Sequence, residues 1–277
     1  MSLSTKEKLE RIEWLKTIVH QAGDIVLRYY NQDAKIQWKT ANEPVTEADM
    51  ASNEFIVNHI SKQFPDEGLL AEETFDDLQR LQKKRVWMID PMDGTKEFIS
   101  RNGEFSVMVG LVEEGAPILG IVYQPTEKRM YIGAKNAIAI MEDDDEVVDL
   151  NVSDRNIVSQ LRLVVSRSHL EPIVEDIRRN MEITDLRQSG SVGIKCGLIA
   201  RGECDVYIHP TQHAKLWDSC GPQAILEAAG GRMTDLHGNP LVYFKENVQN
   251  LNGLVASNGI IHDEIIEKIS EAYEEVT

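Results

Sequence analysis

The sequence of 277 residues predicts an α+β fold in two halves, with an antiparallel N-terminal sheet and a smaller C-terminal α/β half. Three observations predict it. Helical periodicity dominates residues 5–63, short apolar runs separated by turns continue to residue 141, and strands alternate with helices after residue 156. The acidic stretch 142–156 marks a boundary between these patterns. We therefore divide the chain into residues 1–150 and 151–277.

The N-terminal half begins with helices and continues with strands. Apolar residues spaced by three and four predict an amphipathic helix over Thr5–Tyr30 with one buried face. A second helix is predicted over Glu47–Gln63, begun by Thr46 and ended before Pro65. The predicted strands are Val86–Ile89, Phe105–Val112, Pro117–Tyr123, Tyr131–Gly133 and Ala137–Met141, and Glu113–Ala116 is typical of a hairpin turn.

The C-terminal half alternates short strands with helices. The predicted strands are Leu161–Val165, Asp205–Ile208 and Gly253–Ala256. The predicted helices are Glu171–Asn180, Val192–Ala200, Ser219–Ala229 and Asp263–Glu274. In α/β sheets, ligands bind beyond the carboxyl ends of the strands, so we expect substrate contacts there.

Composition excludes several classes of function. Lys plus Arg is 29 and Asp plus Glu is 46, which gives a formal net charge of −17. Such a chain is unsuited to a nucleic acid polymer or an anionic membrane surface, although it can bind a small phosphorylated ligand through cations. The three cysteines are odd in number and lack C-x-x-C spacing, which is typical of buried reduced thiols. No signal peptide or membrane-spanning segment is predicted, so we expect a cytoplasmic location.

Acidic residues concentrate in a few short segments. Asp90 and Asp93 flank Pro91 directly after a predicted strand, which places two carboxylates close together. Gly94 permits close approach of the backbone to a ligand, and Thr95 adds a hydroxyl. Adjacent carboxylates repel, so such clusters usually hold cations or share a proton, and oxygen ligands suit Mg²⁺. A plain turn with two exposed aspartates is the alternative.

Three further acidic segments also have alternative interpretations. Glu72 and Glu73 are adjacent, as paired glutamates on a solvated surface often are. Asp218 precedes an apolar helix, where an aspartate commonly serves as a cap. Thr46 and Asp49 have the spacing of a capping box. Each segment alone is therefore compatible with a purely structural role.

Together, these segments resemble the inositol monophosphatase superfamily of Mg²⁺-dependent, lithium-sensitive phosphatases. The superfamily pattern is an Asp, then Glu-Glu, then Asp-Pro-(Ile/Leu)-Asp-(Gly/Ser)-Thr, then Trp-Asp followed after eleven residues by Gly-Gly. Its elements here are Asp49, Glu72-Glu73, Asp90–Thr95, Trp217-Asp218 and Gly230-Gly231. Met92 replaces Ile or Leu, at a position that contributes its main-chain carbonyl in the family.

The resemblance implies a layered α/β/α/β/α sandwich and a metal site. It implies that Mg²⁺, as two or three ions, is held by Glu72, Asp90, the Met92 carbonyl, Asp93 and Asp218, and that Li⁺ inhibits. Catalytic roles are implied for Thr95 held by Asp49, and for Glu73. The phosphate is then expected beside Asp93, Gly94, Thr95 and Asp218. The family includes monomers and homodimers.

Two groups of segments point to the 3'(2'),5'-bisphosphate nucleotidase branch of this superfamily. Gly94–Ile99 and Arg101–Phe105 resemble bacterial members, and Lys215–Pro222 and Asp235–Asn239 resemble animal ones. In addition, His209-Pro210 stands where the inositol enzymes place a glutamate on the inositol hydroxyls. The expected reaction is hydrolysis of adenosine 3',5'-bisphosphate to AMP and phosphate. The alternatives are an inositol-1-monophosphatase, a fructose-1,6-bisphosphatase, and a non-catalytic member that binds phosphorylated ligands.

Contacts to the rest of the substrate are expected in the C-terminal half. Ser166 follows a predicted strand, and Gly190 and Ser191 precede a predicted helix, although both serines could equally be helix caps. Candidate partners for a second phosphate are Lys195, Lys215 and Arg167. Each of these cations is more commonly found solvated.

Overall fold

The computed structural model, which describes residues 2–32, 36–40, 43–144, 146–168 and 170–276, has five layers in the order α/β/α/β/α. The helices are α1 (Thr5–Tyr30), α2 (Glu47–Gln63), α3 (Thr95–Ile99), α4 (Pro172–Asn180), α5 (Val192–Ala200), α6 (Leu216–Ala228) and α7 (His262–Val276). Short 3₁₀ helices span Gln79–Gln82 and Val158–Gln160. The α+β class predicted from the sequence is confirmed.

Helices α1 and α2 form the first layer, on the outer face of the large sheet. Both have the predicted bounds, and capping boxes at Ser4 and Thr46 begin them. The buried stripe of α1, which includes Ile12, Leu15 and Val19, packs with α2 against the sheet. Burial of this stripe explains why three- and four-residue periodicity identified the helix.

The second layer is a seven-stranded sheet in chain order. Its strands are β3 (Gly68–Ala71), β4 (Arg85–Asp93), β5 (Ser106–Glu113), β6 (Ala116–Gln124), β7 (Arg129–Ala134), β8 (Ile138–Asp143) and β9 (Glu146–Asp149). Neighbours from β4 to β9 are antiparallel, as predicted for the strands up to β8. The sequence did not predict β3, which pairs with β4 in parallel through a crossover of residues 72–84.

The third layer, α5 and α6, lies between the sheets. Helix α6 rests on three glycines that are directly opposite one another on β5, β6 and β7: Gly110, Gly120 and Gly133. A Cβ on Gly120 would lie 2.7 Å from the Cα of Gly221 in α6, so the absence of side chains permits this approach. The glycine stripe thereby sets how deeply α6 enters the molecule.

The last two layers are a five-stranded sheet and helices α4 and α7. The order β11-β10-β12-β14-β13 comprises β11 (Asp185–Ser189), β10 (Arg162–Ser166), β12 (Val206–His209), β14 (Leu254–Ser257) and β13 (Arg232–Thr234). Strand β10 runs parallel to β11 and β12, whereas β14 is antiparallel to both of its neighbours. Val164 packs toward the central layer, while Leu163 and Val165 pack toward α4 and α7, so both faces are covered.

Several strands were not predicted from the sequence. They are β3, β9, β11, β13 and the separate hairpin of β1 (Ile36–Thr40) with β2 (Glu43–Thr46). The first four lie at sheet edges, and β9 and most of β11 are exposed, so they lack the apolar signal of a buried strand. Strand β9 also lies within the acidic stretch 142–156 that we predicted as a boundary.

Two predictions about composition can be compared with the fold. Cys196, Cys204 and Cys220 are buried free thiols, as predicted. Among the described helices, none has the length and apolar character needed to cross a membrane. The division at residue 150 remains a prediction, with the larger sheet in residues 68–149 and the smaller in residues 162–257.

Candidate active site

The cleft begins where β3 and β4 run side by side. Because the two strands are parallel, Glu72 and Glu73 leave β3 beside the segment that carries Asp90 in β4. The Glu72 N–H donates to the carbonyl of Ile89 at 3.1 Å, which continues the ladder by one residue. Asp90 is 2% exposed, whereas the two glutamates are partly exposed. Residues far apart in sequence are thus brought together by strand register.

Strand β4 continues through both aspartates, whereas the sequence predicted that it ends at Ile89. The strand tolerates Pro91 because its register against β5 shifts between Asp90 and Asp93, so no ladder N–H is required there. Met92 N–H donates to Asp90 Oδ1 at 3.0 Å, and Ser52 Oγ donates to the Pro91 carbonyl at 2.9 Å. This irregular segment places two carboxylates at one end of the sheet.

Asp49 has both of the roles considered for it. Its Oδ2 accepts from the N–H and the hydroxyl of Thr46, each at 2.7 Å, so it completes the capping box. Its Oδ1 accepts from Thr95 Oγ1 at 3.2 Å. Gly94, at φ +100°, precedes α3 and turns the chain so that Thr95 faces α2. The cap therefore also orients a carboxylate toward a hydroxyl in the cleft.

Asp93 connects the two halves of the chain. Its Oδ2 accepts from Ser191 Oγ at 2.6 Å and from Gly193 N–H at 3.2 Å, at the start of α5. Ser191 has φ +38°, which is strained for a residue with a side chain, and its hydroxyl also lies 2.8 Å from Ser106 Oγ. Ser191 caps α5 by accepting from Ile194 N–H at 3.1 Å. Capping and contact with the site therefore coexist at this serine.

Asp218 enters the cleft from the first turn of α6. The helix begins at Leu216, three residues before the predicted start, so Asp218 lies inside it. Asp218 Oδ2 accepts from the N–H of Lys215 at 2.7 Å, which is the capping role considered for it. Asn250 Nδ2 donates to the Lys215 carbonyl at 3.0 Å and so supports the same turn.

The negative charges of these carboxylates act on one another. Burial raises the pKa of Asp90 well above its usual range, and the negative charges of Glu72, Asp93 and Asp218 raise this pKa further. Burial likewise raises the pKa of Asp218, together with the charges of Asp93 and Glu72. The pKa of Asp93 is raised by burial, against the opposing charge of Lys195. Burial raises the pKa of Asp49 to about 6, although the hydrogen bonds from Thr46 oppose the shift.

This donor set fits hard divalent cations. Carboxylate oxygens predominate, and the raised pKa values mean that nearby protein groups leave their negative charge incompletely compensated. Asp93 and Asp218 each have one oxygen held by N–H or hydroxyl donors, which fixes the orientation of the other. Within the described residues, no three His, Cys, Asp or Glu side chains already form a metal-binding group. The carboxylates therefore share a cleft without forming a closed cage.

The predicted substrate residues border this cleft to different degrees. Ser166 ends β10 beside Ser189, so Ser166 and the Gly190–Ser191 segment lie at the carboxyl ends of parallel strands. Lys215 is partly exposed next to Asp218. Lys195 is 2% exposed and donates to the Gly190 carbonyl at 3.0 Å, so it acts inside the protein. Whether any of these residues contacts a substrate remains a prediction.

Several residues support the site in ways that the sequence did not predict, including Arg167, which was considered only as a partner for a second phosphate. Arg167 forms a bidentate pair with Glu104, with both distances 2.7 Å, and Glu104 also accepts from Gly190 N–H at 2.7 Å. Ser52 donates to the Pro91 carbonyl between Asp90 and Asp93, and Ser106 contacts Ser191, which itself donates to Asp93. Glu104 lies within a segment that carried the family resemblance, which was a usable signal, whereas the serines had none.

Two cavities lie outside this cluster of carboxylates. One of about 480 Å³ lies at the far end of α6, where Lys135, Ala224 and Glu227 help to line it. Another of about 490 Å³ borders the start of α2, beside Thr46 and Asn53. The first is remote from the converging acidic groups and the second adjoins them, so cavity size alone does not identify this site.

The fold and site define a five-layered α/β/α/β/α protein with an acidic cleft between its two sheets. A model of the inositol monophosphatase family matches residues 8–274. The chain therefore belongs to the inositol monophosphatase family. This family is generally metal-dependent, and membership supports a phosphatase that acts on a phosphorylated small molecule.

Relatives within the family include proteins named 3'(2'),5'-bisphosphate nucleotidase CysQ. The one from Aggregatibacter actinomycetemcomitans is 31% identical over 91% of this chain and 93% of its own length. The one from Escherichia coli K12 is 34% identical, over 82% and 91%. The solved CysQ structure from Bacteroides thetaiotaomicron has a TM-score of 0.72 and 31% identity, covering 87% of this chain and 94% of that one. The IMPase of Thermotoga maritima has a TM-score of 0.81 and 25% identity, covering 97% and 100%.

Proposed function

We propose that this protein is a Mg²⁺-dependent phosphomonoesterase that hydrolyses adenosine 3',5'-bisphosphate to AMP and phosphate. The feature that supports the proposal is a set of four carboxylates, near enough for their charges to raise the pKa of Asp90 and of Asp218, together with a hydroxyl–carboxylate pair. The carboxylates are Glu72, Asp90, Asp93 and Asp218, and the pair is Thr95 with Asp49. The names of the CysQ relatives support the choice of substrate.

The metal ions are held, in this proposal, by the four carboxylates and the carbonyl of Met92. Two or three Mg²⁺ ions would compensate the charge that raises the pKa of Asp90. Bound Mg²⁺ supplies charge neutralisation at the phosphate and activation of water. The protein orients the ligands, through Ser191 at Asp93 and the Lys215 N–H at Asp218.

Thr95 and Asp49 move the proton of the attacking water. Thr95 Oγ1 donates to Asp49 Oδ1, so a water at Thr95 can give its proton to the hydroxyl while the hydroxyl proton passes to Asp49. A pKa of about 6 at Asp49 suits this exchange near neutral pH. The water oxygen bonds to phosphorus as the bond to the ribose oxygen breaks, the ribose oxygen takes up a proton from solvent water, and Asp49 returns its proton to solvent. Glu73, which is adjacent to Glu72, assists the activation of water.

The nucleoside lies toward the C-terminal half. The carboxyl ends of β10 and β11 present Ser166, Gly190 and Ser191, where α/β sheets usually bind ligands. The Ser191 hydroxyl is engaged with Asp93, so its role in positioning a metal ligand is stronger than a role in direct recognition. Lys215 and Arg167 are the candidates for the second phosphate. We further propose a cytoplasmic monomer or homodimer.

A phosphate-release assay tests the substrate. Purified protein is given adenosine 3',5'-bisphosphate, inositol 1-phosphate and fructose 1,6-bisphosphate, each with Mg²⁺ and with a chelator. We expect the bisphosphate nucleotide to be turned over with the highest kcat/KM, dependence on Mg²⁺, and inhibition by Li⁺. A large preference for inositol 1-phosphate would instead establish the second candidate.

That second candidate is an inositol-1-monophosphatase, which the TM-score of 0.81 to the Thermotoga maritima IMPase favours. His209-Pro210, at the carboxyl end of β12 on the substrate side, argues against it, because the inositol enzymes place a glutamate there. Binding of the phosphorylated compounds without turnover of any would favour a non-catalytic member.

A further inference from the structure

Arg80 is a buried cation that the proposed reaction does not use. It lies in the 3₁₀ helix Gln79–Gln82, within the crossover that follows Glu72 and Glu73, and is 2% exposed. Its backbone packs closely on the start of β3, where a Cβ on Gly68 would come within 3.0 Å of the Arg80 Cα. A buried guanidinium is costly unless its donors are bonded, so its contacts identify what it is positioned to hold.

The guanidinium of Arg80 holds the loop that follows the paired glutamates. Its Nε donates to Asp76 Oδ2 at 2.9 Å, and its Nη2 lies 2.8 Å from the same oxygen. The other oxygen of Asp76 accepts from Leu78 N–H at 3.0 Å. Asp76 is four residues beyond Glu72, so this pair closes the loop that follows the paired glutamates.

The same guanidinium also contacts the C-terminal half of the chain. Its Nη2 donates to the carbonyl of Lys245 at 3.0 Å, across 165 positions of sequence. Its Nη1 has no hydrogen-bond partner within the described part of the chain. One guanidinium therefore contacts the loop after Glu72 and a segment on the opposite side of the cleft.

The loop that contains Lys245 supports the turn that holds Asp218. Lys245 Nζ donates to the Gln249 carbonyl at 2.7 Å, which ties this loop to itself. The same loop is hydrogen-bonded to the start of α6. Leu216 N–H donates to the Val248 carbonyl at 2.9 Å, and Asn250 N–H donates to the Ala214 carbonyl at 2.8 Å. This is the turn in which Lys215 N–H holds the carboxylate of Asp218.

We infer that Arg80 is a positioning residue that sets the separation between Glu72 and Asp218 by connecting their supporting loops across the cleft. The inference rests on the proposed metal-binding role of those two carboxylates. Arg80 touches neither of them and would contact neither substrate nor metal, so its effect passes through Asp76 and through the Lys245 carbonyl. Residues that orient metal ligands commonly change metal affinity by 10- to 100-fold when they are replaced.

Titration of Mg²⁺ by calorimetry tests this inference without using activity. The wild type is compared with Arg80→Gln, Arg80→Lys and the control Arg129→Gln, with thermal unfolding in chelator measured for each. Arg129 pairs with Asp143 between β7 and β8, away from the carboxylate cleft. We expect Arg80→Gln to bind Mg²⁺ about tenfold more weakly, Arg80→Lys to recover part of the loss, and Arg129→Gln to bind as the wild type does.

Enzyme kinetics should show the same division. For Arg80→Gln, the Mg²⁺ concentration for half-maximal rate should rise about tenfold, while the KM for substrate at saturating Mg²⁺ stays within about twofold. Should Arg80→Gln not fold, Asp76→Asn and Arg80→Lys take its place in both measurements, with a weaker effect in the same direction.

Unchanged Mg²⁺ affinity with a lowered unfolding temperature would overturn the inference and leave Arg80 with a stabilising role alone. An equal loss of affinity in Arg129→Gln would overturn it as well. If the wild type binds Mg²⁺ but hydrolyses none of the phosphorylated compounds, the proposed function fails while the titration still decides the role of Arg80. If the wild type binds no Mg²⁺, both fail.

Discussion

The carboxylates of the cleft are held in two different ways. Asp90 belongs to β4, which is paired on both sides, and the ladder with β3 and β5 fixes its place. Asp218 belongs to the first turn of a helix, whose depth depends on the glycine stripe and whose start depends on the loop around Asn250. One side of the site is therefore built by a continuous sheet and the other by packing between layers. Changes on the first side should lower activity without lowering stability, whereas changes on the second should lower both.

The largest expected effect is at Asp90. Asp90→Asn removes a proposed metal ligand, so kcat/KM should fall roughly a thousandfold, because several kcal/mol of charge stabilisation depend on the metal ions. The metal-free variant should unfold at a higher temperature than the wild type, since a buried charge among like charges is removed. Phosphate release and thermal unfolding in chelator measure the two effects. Activity within tenfold of the wild type would contradict the assignment of Asp90.

Gly120→Ala should have the next largest effect, and on both properties. The new Cβ would lie 2.7 Å from the backbone of Gly221, so α6 must shift outward and Asp218 with it. We expect a loss of about 3 kcal/mol in the free energy of unfolding. Urea unfolding measures it, with Mg²⁺ affinity as the second readout.

The control for this prediction is Gly115→Ala, in the exposed β5–β6 turn. No atom lies within 4 Å of a Cβ there, and only its φ of +86° is unfavourable, so about 1 kcal/mol is expected. Equal losses at the two glycines would show that the stripe does not set the position of α6.

A smaller effect is expected at Ser191, where the two sides of the site meet. Ser191→Ala removes the hydroxyl that donates to Asp93 at 2.6 Å, so Mg²⁺ affinity should fall about tenfold. Ser106→Ala removes a hydroxyl that contacts Ser191 but leaves the donor to Asp93, and it should change the affinity less. The affinities are compared by calorimetry, and a larger loss in the Ser106 variant would reverse the interpretation.

The last effect concerns stability alone and lies in the outer layer of the C-terminal half. His262 is 1% exposed, between Thr234 Oγ1 at 2.8 Å and Ser257 Oγ at 2.7 Å. Burial and the nearby charge of Arg232, opposed by Asp263, lower the pKa of His262 from 6.5 to about 4. The unfolded chain therefore takes up this proton at higher pH than the folded one, so the contribution to stability is complete above pH 6.5 and is lost as the pH falls toward 4.

His262→Gln should flatten this part of the pH dependence. The free energy of unfolding is measured for wild type and variant from pH 7 to pH 4. The difference between the two cancels the contribution of the cleft carboxylates, because both proteins contain them. A constant difference over that range would show that His262 does not titrate as described.

The sequence predicted the interior of this fold better than its edges. Thr5–Tyr30 was predicted with its observed bounds from its recurring apolar face, and Glu47–Gln63 from the capping residue Thr46 and the stop at Pro65. Strands such as β9 and β11 were missed because exposed edge strands need no apolar alternation.

The candidate site, like the fold, was predicted only in part. The motif at Asp90–Thr95 indicated a carboxylate cluster, and Asp49 was correctly connected with Thr95. No local signal indicated Arg80, since it stands in a charged run that resembles a solvated surface. The alignment of Gly110 with Gly120 emerges only from strand register, which sequence spacing does not supply.

The exposed β9 strand has a consequence for colloidal behaviour. Val147 and Val148 are 64% and 46% exposed on a sheet edge with which no other described strand pairs, and another copy of the strand could add there. Glu146 and Asp149 bracket them, and mutual repulsion between such edges discourages stacking at neutral pH. That protection fades as the solution approaches the isoelectric point near 4.8, so acidification should precipitate the folded protein before it denatures.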